Sequence, residues 1–174
     1  MIYVASSWRN PLYDAVLAIL HAAKLPLYDF KHPKAGQEGF HWHAIDPQWE
    51  TWSAEAYRTA LTDPRAEEGF LCDMDALQAC DTLVLVLPCG RSAHLELGYA
   101  IGAGKKTIIF SPPGVHIEPE LMYKAADHIA LSVRELLELL GVQDAYAHGD
   151  DGAGGSPLPR EAGGDAVDLA HDQP

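Results

Sequence analysis

The sequence predicts an α/β protein built on a parallel sheet, and three observations support this. The stretch "DTLVLVLP" at 81–88 is a nearly unbroken apolar run, typical of a central strand covered on both faces. Strand-like and helix-like segments alternate along the chain, as in successive βαβ units. The apolar start "MIYVA" gives way at once to a polar turn. With right-handed crossovers, we expect a doubly wound, flavodoxin-like sheet of about five parallel strands with helices on both faces.

The individual elements have local reasons. Asn10 followed by Pro11 is typical of a helix N-cap and first helical position. Pro64 fits the first turn of another helix, and Ser132 with Glu135 predicts a capping box for the last one. In chain order we predict a strand at 1–5, a helix at 10–24, a strand at 25–30, an irregular segment at 31–52, helices at 53–62 and 64–80, strands at 81–88 and 105–110 around a helix at 92–104, a strand at 127–132 and a helix at 132–140.

Composition limits the function. The 174 residues are enough for one domain, at 1–141, and the aperiodic Gly, Asp, Ala and Pro residues at 142–174 predict a flexible acidic tail. A formal charge of −13 disfavours duplex nucleic acid and anionic membranes as partners, and leaves a small-molecule substrate. Three cysteines form neither a disulfide framework nor a zinc pattern, so we expect reduced thiols and a cytoplasmic location. The chain carries no membrane-span or signal-peptide pattern.

Two polar loops face one crevice in this arrangement. The loop "SSWRN" follows the first strand and "CGRSAH" follows the third, and ligands of such sheets bind where the strand order reverses. Gly90 permits an unusual turn, and Ser92 can cap a helix whose free N–H groups favour an anion such as phosphate. Alternatively, the serines only cap and turn the chain. The candidate substrate-binding residues of the two loops are Ser6, Ser7, Trp8, Arg9, Gly90, Arg91 and Ser92.

Two carboxylates are expected at this crevice. Glu96 lies about one turn into its helix, at the border of the apolar stripe that contains Leu97 and Ala100. Asp73 shares a helix face with Phe70 and Leu77, so it should be buried with a partner or border a cavity. Such a pair can cleave a glycosidic bond, one member acting as nucleophile. The plainer alternative for Glu96 is an interaction with the helix dipole.

Three segments together resemble a known family. "IYVASSW", "DMDALQACDTLVLVLP" and "SAHLELGYAIGAGKKTII" are similar to the nucleoside 2-deoxyribosyltransferase superfamily, which includes nucleoside 5′-monophosphate N-glycosidases. The resemblance covers roughly residues 1–130. Its most specific part is the pattern E-x-G-x-A-x-x-x-G-K, which runs from Glu96 to Lys105.

The resemblance implies roles for several residues. Glu96 would attack the anomeric carbon and form a covalent glycosyl-enzyme intermediate, Asp73 would help to hold the substrate, and Tyr3 would orient Glu96. It also implies a homo-oligomer, a dimer or tetramer. We expect no cofactor. Where transferases of free nucleosides commonly carry an acidic aspartate, this chain has Gly90. Arg91, Ser92 and His94 follow that position in a loop that resembles the phosphate-handling loops of the nucleotide-acting branch. We therefore expect a 5′-monophosphate or a related phosphorylated nucleoside as substrate, with His94 protonating the base or binding phosphate.

The long segment at 31–52 is a candidate lid or binding loop. Trp42, with Trp49, Trp52 and Phe40, could stack on a nucleobase, and His43 is a further candidate contact. The competing interpretation is that these tryptophans pack the segment onto the domain. The histidines of the segment lack a recognised metal-ligand spacing, so we expect no metal site.

Two other functions stay open. One is an NAD-type glycohydrolase resembling Toll/interleukin-receptor-like domains, which also place a glutamate on a helix of a flavodoxin-like sheet. The other is a catalytically silent nucleotide-sensing module, in which the loops bind phosphate and Glu96 only stabilises its helix. For the leading hypothesis, the sequence does not distinguish a hydrolase from a transferase.

Overall fold

The computed structural model describes residues 1–142 and confirms the predicted fold class. The predicted tail lies, from residue 143 onward, outside the described residues. The strands are β1 (Ile2–Ala5), β2 (Leu27–Asp29), β3 (Thr82–Val86), β4 (Lys106–Phe110) and β5 (His128–Ala130). The helices are α1 (Tyr13–Ala22), α2 (Ala54–Ala60), α3 (Pro64–Ala79), α4 (Arg91–Gly102) and α5 (Val133–Leu139), and single 3₁₀ turns lie at Trp42–Ala44, Trp49–Thr51 and Leu121–Ala125.

All five strands are parallel and lie in the order β2-β1-β3-β4-β5. Successive strand residues point to opposite faces, so the sheet separates two apolar layers. Val84 and Ile108 face α1 and α5, whereas Leu83 and Ile109 face α3 and α4. The strand order reverses between β1 and β3, which places a crevice at their carboxyl ends.

The start of α1 differs from the prediction. The helix begins at Tyr13 rather than at Asn10–Pro11, and its N-cap residue is Leu12. Asn10 is buried, and its side chain makes a turn by accepting from the Leu12 N–H at 2.9 Å while donating to the Ser6 hydroxyl at 2.9 Å. Asparagine is a residue type typical of N-caps, but the side-chain amide of Asn10 makes tertiary hydrogen bonds instead.

The start of α4 also needs a correction. Gly90 is the N-cap residue and makes no side-chain cap, so Ser92, predicted to cap the helix, lies inside its first turn. At the other end, Gly104 has a φ of +68°, the left-handed conformation that terminates helices. A Cβ at Gly98 or Gly102 would meet no heavy atom within 4 Å, so no close approach within the described chain requires these glycines.

The segment at 31–52 packs against α3 through aromatic side chains. The Trp42 ring contacts Phe40 at 4.8 Å and Trp52 at 5.7 Å between ring centroids. A Cβ at Gly69 of α3 would lie 2.4 Å from the Cβ of Phe40, so only glycine allows this approach. None of the helices within residues 1–142 is long and apolar enough to cross a membrane.

Candidate active site

The loops after β1 and β3 meet, as predicted, at the strand-order reversal. A Cβ on Gly90 would lie 4.0 Å from the Ser7 hydroxyl oxygen, which measures how close the loops are. Two buried side chains fasten them together: the Ser6 hydroxyl donates to the Val86 carbonyl at 2.9 Å, and the Asn10 amide donates to the same carbonyl at 3.3 Å. Ser6 therefore holds the loop in place rather than facing the crevice.

The remaining predicted loop residues lie nearer the surface. The Ser7 hydroxyl accepts from the Arg9 backbone N–H at 3.2 Å, and the Arg9 side chain is exposed. Trp8 is 40% exposed and packs edge-on against Phe30, with 5.6 Å between ring centroids. Arg91 is exposed in the first turn of α4. The two loops therefore offer hydroxyls and cations at one edge of the sheet.

Glu96 is partly buried on α4, one turn after Ser92. Burial, and secondarily the negative charge of Asp73, raise the pKa of Glu96 to about 7. The hydroxyls of Ser92 and Tyr3 act in the opposite direction, because they stabilise the ionised carboxylate. Glu96 consequently changes its charge near neutral pH, which is uncommon for a glutamate and frequent at functional sites.

Tyr3, in β1, is fully buried beside Glu96. Its hydroxyl lies close enough to favour the ionised glutamate, yet the geometry is outside that of a hydrogen bond. Within residues 1–142, it is the one buried side-chain oxygen or nitrogen without a hydrogen-bond partner. A buried donor is unfavourable without an acceptor, and the acceptor that the Tyr3 hydroxyl stabilises is the neighbouring Glu96 carboxylate. Burial and the two nearby carboxylates raise the pKa of Tyr3, which keeps the hydroxyl protonated.

Tyr28 links Tyr3 to Asp73. The rings of Tyr3 and Tyr28 stack with centroids 5.2 Å apart, and the Tyr28 hydroxyl donates to Asp73 Oδ1 at 2.8 Å. Burial raises the pKa of Asp73, and this hydrogen bond opposes the rise. Asp73 thus has a hydrogen-bond partner, as its helix position predicted, but both side chains are only partly buried, and Phe70 on the same helix face is 62% exposed. Sequence reasoning missed Tyr28, because its approach depends on the pairing of β2 with β1.

His94 lies on the other flank of α4. It lies two positions before Glu96, which corresponds to a rotation of about 200° around the helix axis. Its Nδ1 is 2.9 Å from the Gly90 carbonyl and its Nε2 is 2.9 Å from the Tyr123 hydroxyl, and the two rings stack at 5.7 Å. Both imidazole nitrogens are engaged, so His94 is not brought together with Glu96. Tyr123, in the 3₁₀ turn after β4, gave no signal in the sequence analysis.

Trp42 and His43, the candidate binding residues of the segment at 31–52, lie in different environments. Trp42 packs among Phe40, Trp52 and Tyr57, which fits the packing interpretation. His43 is exposed, and its backbone N–H donates to His41 Nδ1 at 3.1 Å. Among the described residues, no group of three or more His, Cys, Asp or Glu side chains is arranged to hold a metal ion. Cys72, Cys80 and Cys89 are free thiols.

No protein-family model matches the chain, and no curated protein matches it. The features that bear on function are those of the crevice: a carboxylate whose pKa is raised to about 7, a buried phenol beside it, a second carboxylate and a polar rim.

Proposed function

We propose that the protein cleaves or exchanges the N-glycosidic bond of a nucleoside 5′-monophosphate or a related nucleotide, with Glu96 as the nucleophile. The observation that carries this proposal is the partly buried Glu96 carboxylate beside Asp73 and the unpaired Tyr3 hydroxyl. The resemblance to the nucleoside 2-deoxyribosyltransferase superfamily supports it, because the same three positions match that family.

The reaction uses a double displacement at the sugar. An ionised Glu96 oxygen attacks C1′, the C1′–N bond breaks, and its electron pair leaves with the base. The transition state carries positive charge on the sugar, which the negative charge of Asp73 stabilises. Water or a second base then attacks C1′ from the opposite side and releases Glu96, giving hydrolysis or base exchange.

The polar rim favours a phosphorylated substrate. α4 begins at Arg91, and its N-cap residue Gly90 provides no side-chain cap, so the backbone N–H groups of the first turn and the positive dipole end suit an anion. Ser7 and Arg9 come from the adjoining loop, and Arg91 opens the helix. A 5′-phosphate bound at this rim would fix the sugar relative to Glu96, which lowers the entropic part of the barrier.

Base release tests the proposal directly. The purified protein is incubated with a panel of ribonucleotides, deoxyribonucleotides and NAD, and free base is measured by chromatography. We expect release from at least one 5′-monophosphate, and a loss of roughly 10³-fold or more in Glu96→Gln, because the nucleophile is gone. Glu55→Gln on α2 is the matched control and should retain full activity, since Glu55 is exposed outside the crevice.

The remaining outcomes distinguish the alternatives. Release of nicotinamide from NAD, without release from monophosphates, would favour the NAD-type glycohydrolase. Nucleotide binding by calorimetry without release of any base would favour the sensing module. Equal activity in Glu96→Gln and wild type would remove Glu96 from the mechanism.

A further inference from the structure

Two tyrosines lie side by side on the face of the sheet that α3 and α4 cover. Tyr3 in β1 and Tyr28 in β2 are register partners, and both side chains pack in the same apolar layer. Their rings stack with 5.2 Å between centroids and an angle of 24° between planes. Each ring therefore restricts the movement of the other, which limits the directions in which the two hydroxyls point.

Each hydroxyl interacts with one carboxylate of the crevice. The Tyr3 hydroxyl favours the ionised form of Glu96, and the Tyr28 hydroxyl donates to Asp73 Oδ1 at 2.8 Å. Asp73 lies one turn before the buried Leu77, on the side of α3 that packs on the sheet. The bond from Tyr28 uses Oδ1, which leaves Oδ2 of Asp73 for a substrate group.

The ionised form of Asp73 needs such a partner. Its negative charge contributes to the raised pKa of Glu96, so the two carboxylates repel each other at one crevice. Burial also raises the pKa of Asp73 itself. Without a donor, the Asp73 carboxyl group would gain by taking up a proton or by turning away from Glu96. The hydrogen bond from Tyr28 opposes both changes, because it binds the ionised group in one orientation.

We propose that Tyr28 is a positioning residue of the glycosidic reaction, which holds the Asp73 carboxylate at the crevice beside Glu96; this inference rests on the proposed function. Burial and the Asp73 charge raise the pKa of Tyr28, so its phenol keeps its proton throughout, and no covalent bond to Tyr28 forms or breaks. The hydroxyl keeps the Asp73 charge in place while positive charge develops on the sugar, an interaction that is strongest in the transition state. Loss of the hydroxyl should therefore lower kcat more than it raises KM.

A second tyrosine–aspartate pair provides a matched control. The Tyr13 hydroxyl donates to Asp29 Oδ1 at 2.9 Å, and the Tyr13 ring packs in the apolar layer on the opposite face of the sheet, with α1 and α5. Tyr13→Phe removes a hydrogen bond of the same kind and keeps the ring, as Tyr28→Phe does. Its effect on base release measures what a loss of stability alone does to activity.

The experiment compares base release by Tyr28→Phe, Tyr13→Phe and wild type on the 5′-monophosphate that wild type cleaves fastest, with denaturant unfolding of each protein. We expect kcat of Tyr28→Phe to fall about 10-fold or more with KM changed less than about 3-fold, and kcat of Tyr13→Phe to stay within about 2-fold of wild type. Tyr28→Phe is also made in Asp73→Ala, at protein concentrations that make the residual release measurable. In that background it should change kcat by less than about 2-fold, because the group that Tyr28 positions is gone.

The failures are distinguishable. Unchanged kcat in Tyr28→Phe would overturn the inference, and an equal fall of kcat in Tyr13→Phe would show that the effect comes from lost stability. A full additional loss in the Asp73→Ala background would show that Tyr28 does not act through Asp73. Each of these results leaves the wild-type activity standing, whereas the proposed function and this inference fail together if wild type releases no base.

Discussion

At the scale of single residues, burial gives groups at the crevice pKa values that they rarely have in water. Glu96 is the clearest case, since burial and the Asp73 charge raise its pKa to about 7. A nucleophile must be ionised, but a desolvated carboxylate is also a stronger nucleophile than one in bulk water. Burial therefore favours attack by an ionised Glu96 carboxylate but also destabilises that ionised form in the folded protein. Two measurements separate these effects.

The first measurement is the pH dependence of base release. In the proposed mechanism Glu96 attacks in its ionised form, so kcat/KM should fall as the pH drops through about 7. Asp73→Asn removes one of the charges that raise this pKa, so the acid limb should move to lower pH while burial keeps it above the usual range of a glutamate. An acid limb that stays in place in Asp73→Asn would contradict this electrostatic account.

The second measurement is stability against pH. The folded protein binds the Glu96 proton more tightly than the unfolded chain, so folding is penalised as the pH rises from the unfolded value of 4.5 through about 7. Glu96→Gln carries no charge and should be more stable than wild type by about 2–3 kcal/mol near pH 8.5, with the difference vanishing near pH 4. Denaturant unfolding at both pH values tests this, with Glu55→Gln as a control that shows no such pH-dependent gain.

Sequence patterns identified some of these residues for physical reasons. Helical spacing placed Glu96 beside the buried stripe and predicted that Asp73 is buried with a partner or borders a cavity, because side chains three or four residues apart share one face of a helix. Tyr3 came only from the family resemblance. Tyr28 was missed, because its contacts depend on which strands become neighbours and in which register.

At the scale of elements, the relation between the two crevice loops depends on buried hydrogen bonds. Asn10 and Ser6 both bind the Val86 carbonyl, so the loop after β1 is fastened to the end of β3. The predicted bounds of helices and strands agree with the structure to within a few residues, but the hydrogen bonds of the polar residues at their ends were predicted wrongly. Asn10 and Ser92 are residue types typical of N-caps, but the Asn10 amide makes a tertiary hydrogen bond to the Val86 carbonyl and Ser92 lies inside the first turn of α4. The capping box at Ser132 was closer: its hydroxyl accepts from the Glu135 N–H, as predicted.

Asn10→Ala tests this fastening. The change leaves the Ser6 hydroxyl, the Val86 carbonyl and the Leu12 N–H with fewer partners, so the free energy of unfolding should fall by about 1–3 kcal/mol. The KM for the nucleotide should rise as well, because the loops define the rim. Gln37→Ala, which removes only an exposed hydrogen bond to Glu68, should change stability by less than about 0.5 kcal/mol. Equal stability of Asn10→Ala and wild type would show that the loops are held by other contacts.

At the scale of the whole molecule, the fold was predictable because its signals are long and repeated. The apolar run of β3 and the alternation of elements gave a parallel sheet, and the handedness of crossovers limited the strand orders. Chain topology then placed the candidate site, since the reversal between β1 and β3 brings two distant loops together. The hydrogen bonds and contacts of side chains within the site were less predictable, because they depend on distances that topology alone does not determine.

The covalent intermediate tests the central claim most directly. A nucleoside 5′-monophosphate analogue with fluorine at C2′ in the arabino configuration slows the second displacement, so a glycosyl-enzyme should accumulate. Intact-protein mass spectrometry should then show one added fluoro-sugar phosphate, and peptide mapping should locate it on Glu96, with no adduct in Glu96→Gln. Base release from the analogue without any adduct, or an adduct on a different residue, would contradict the assignment of Glu96 as the nucleophile.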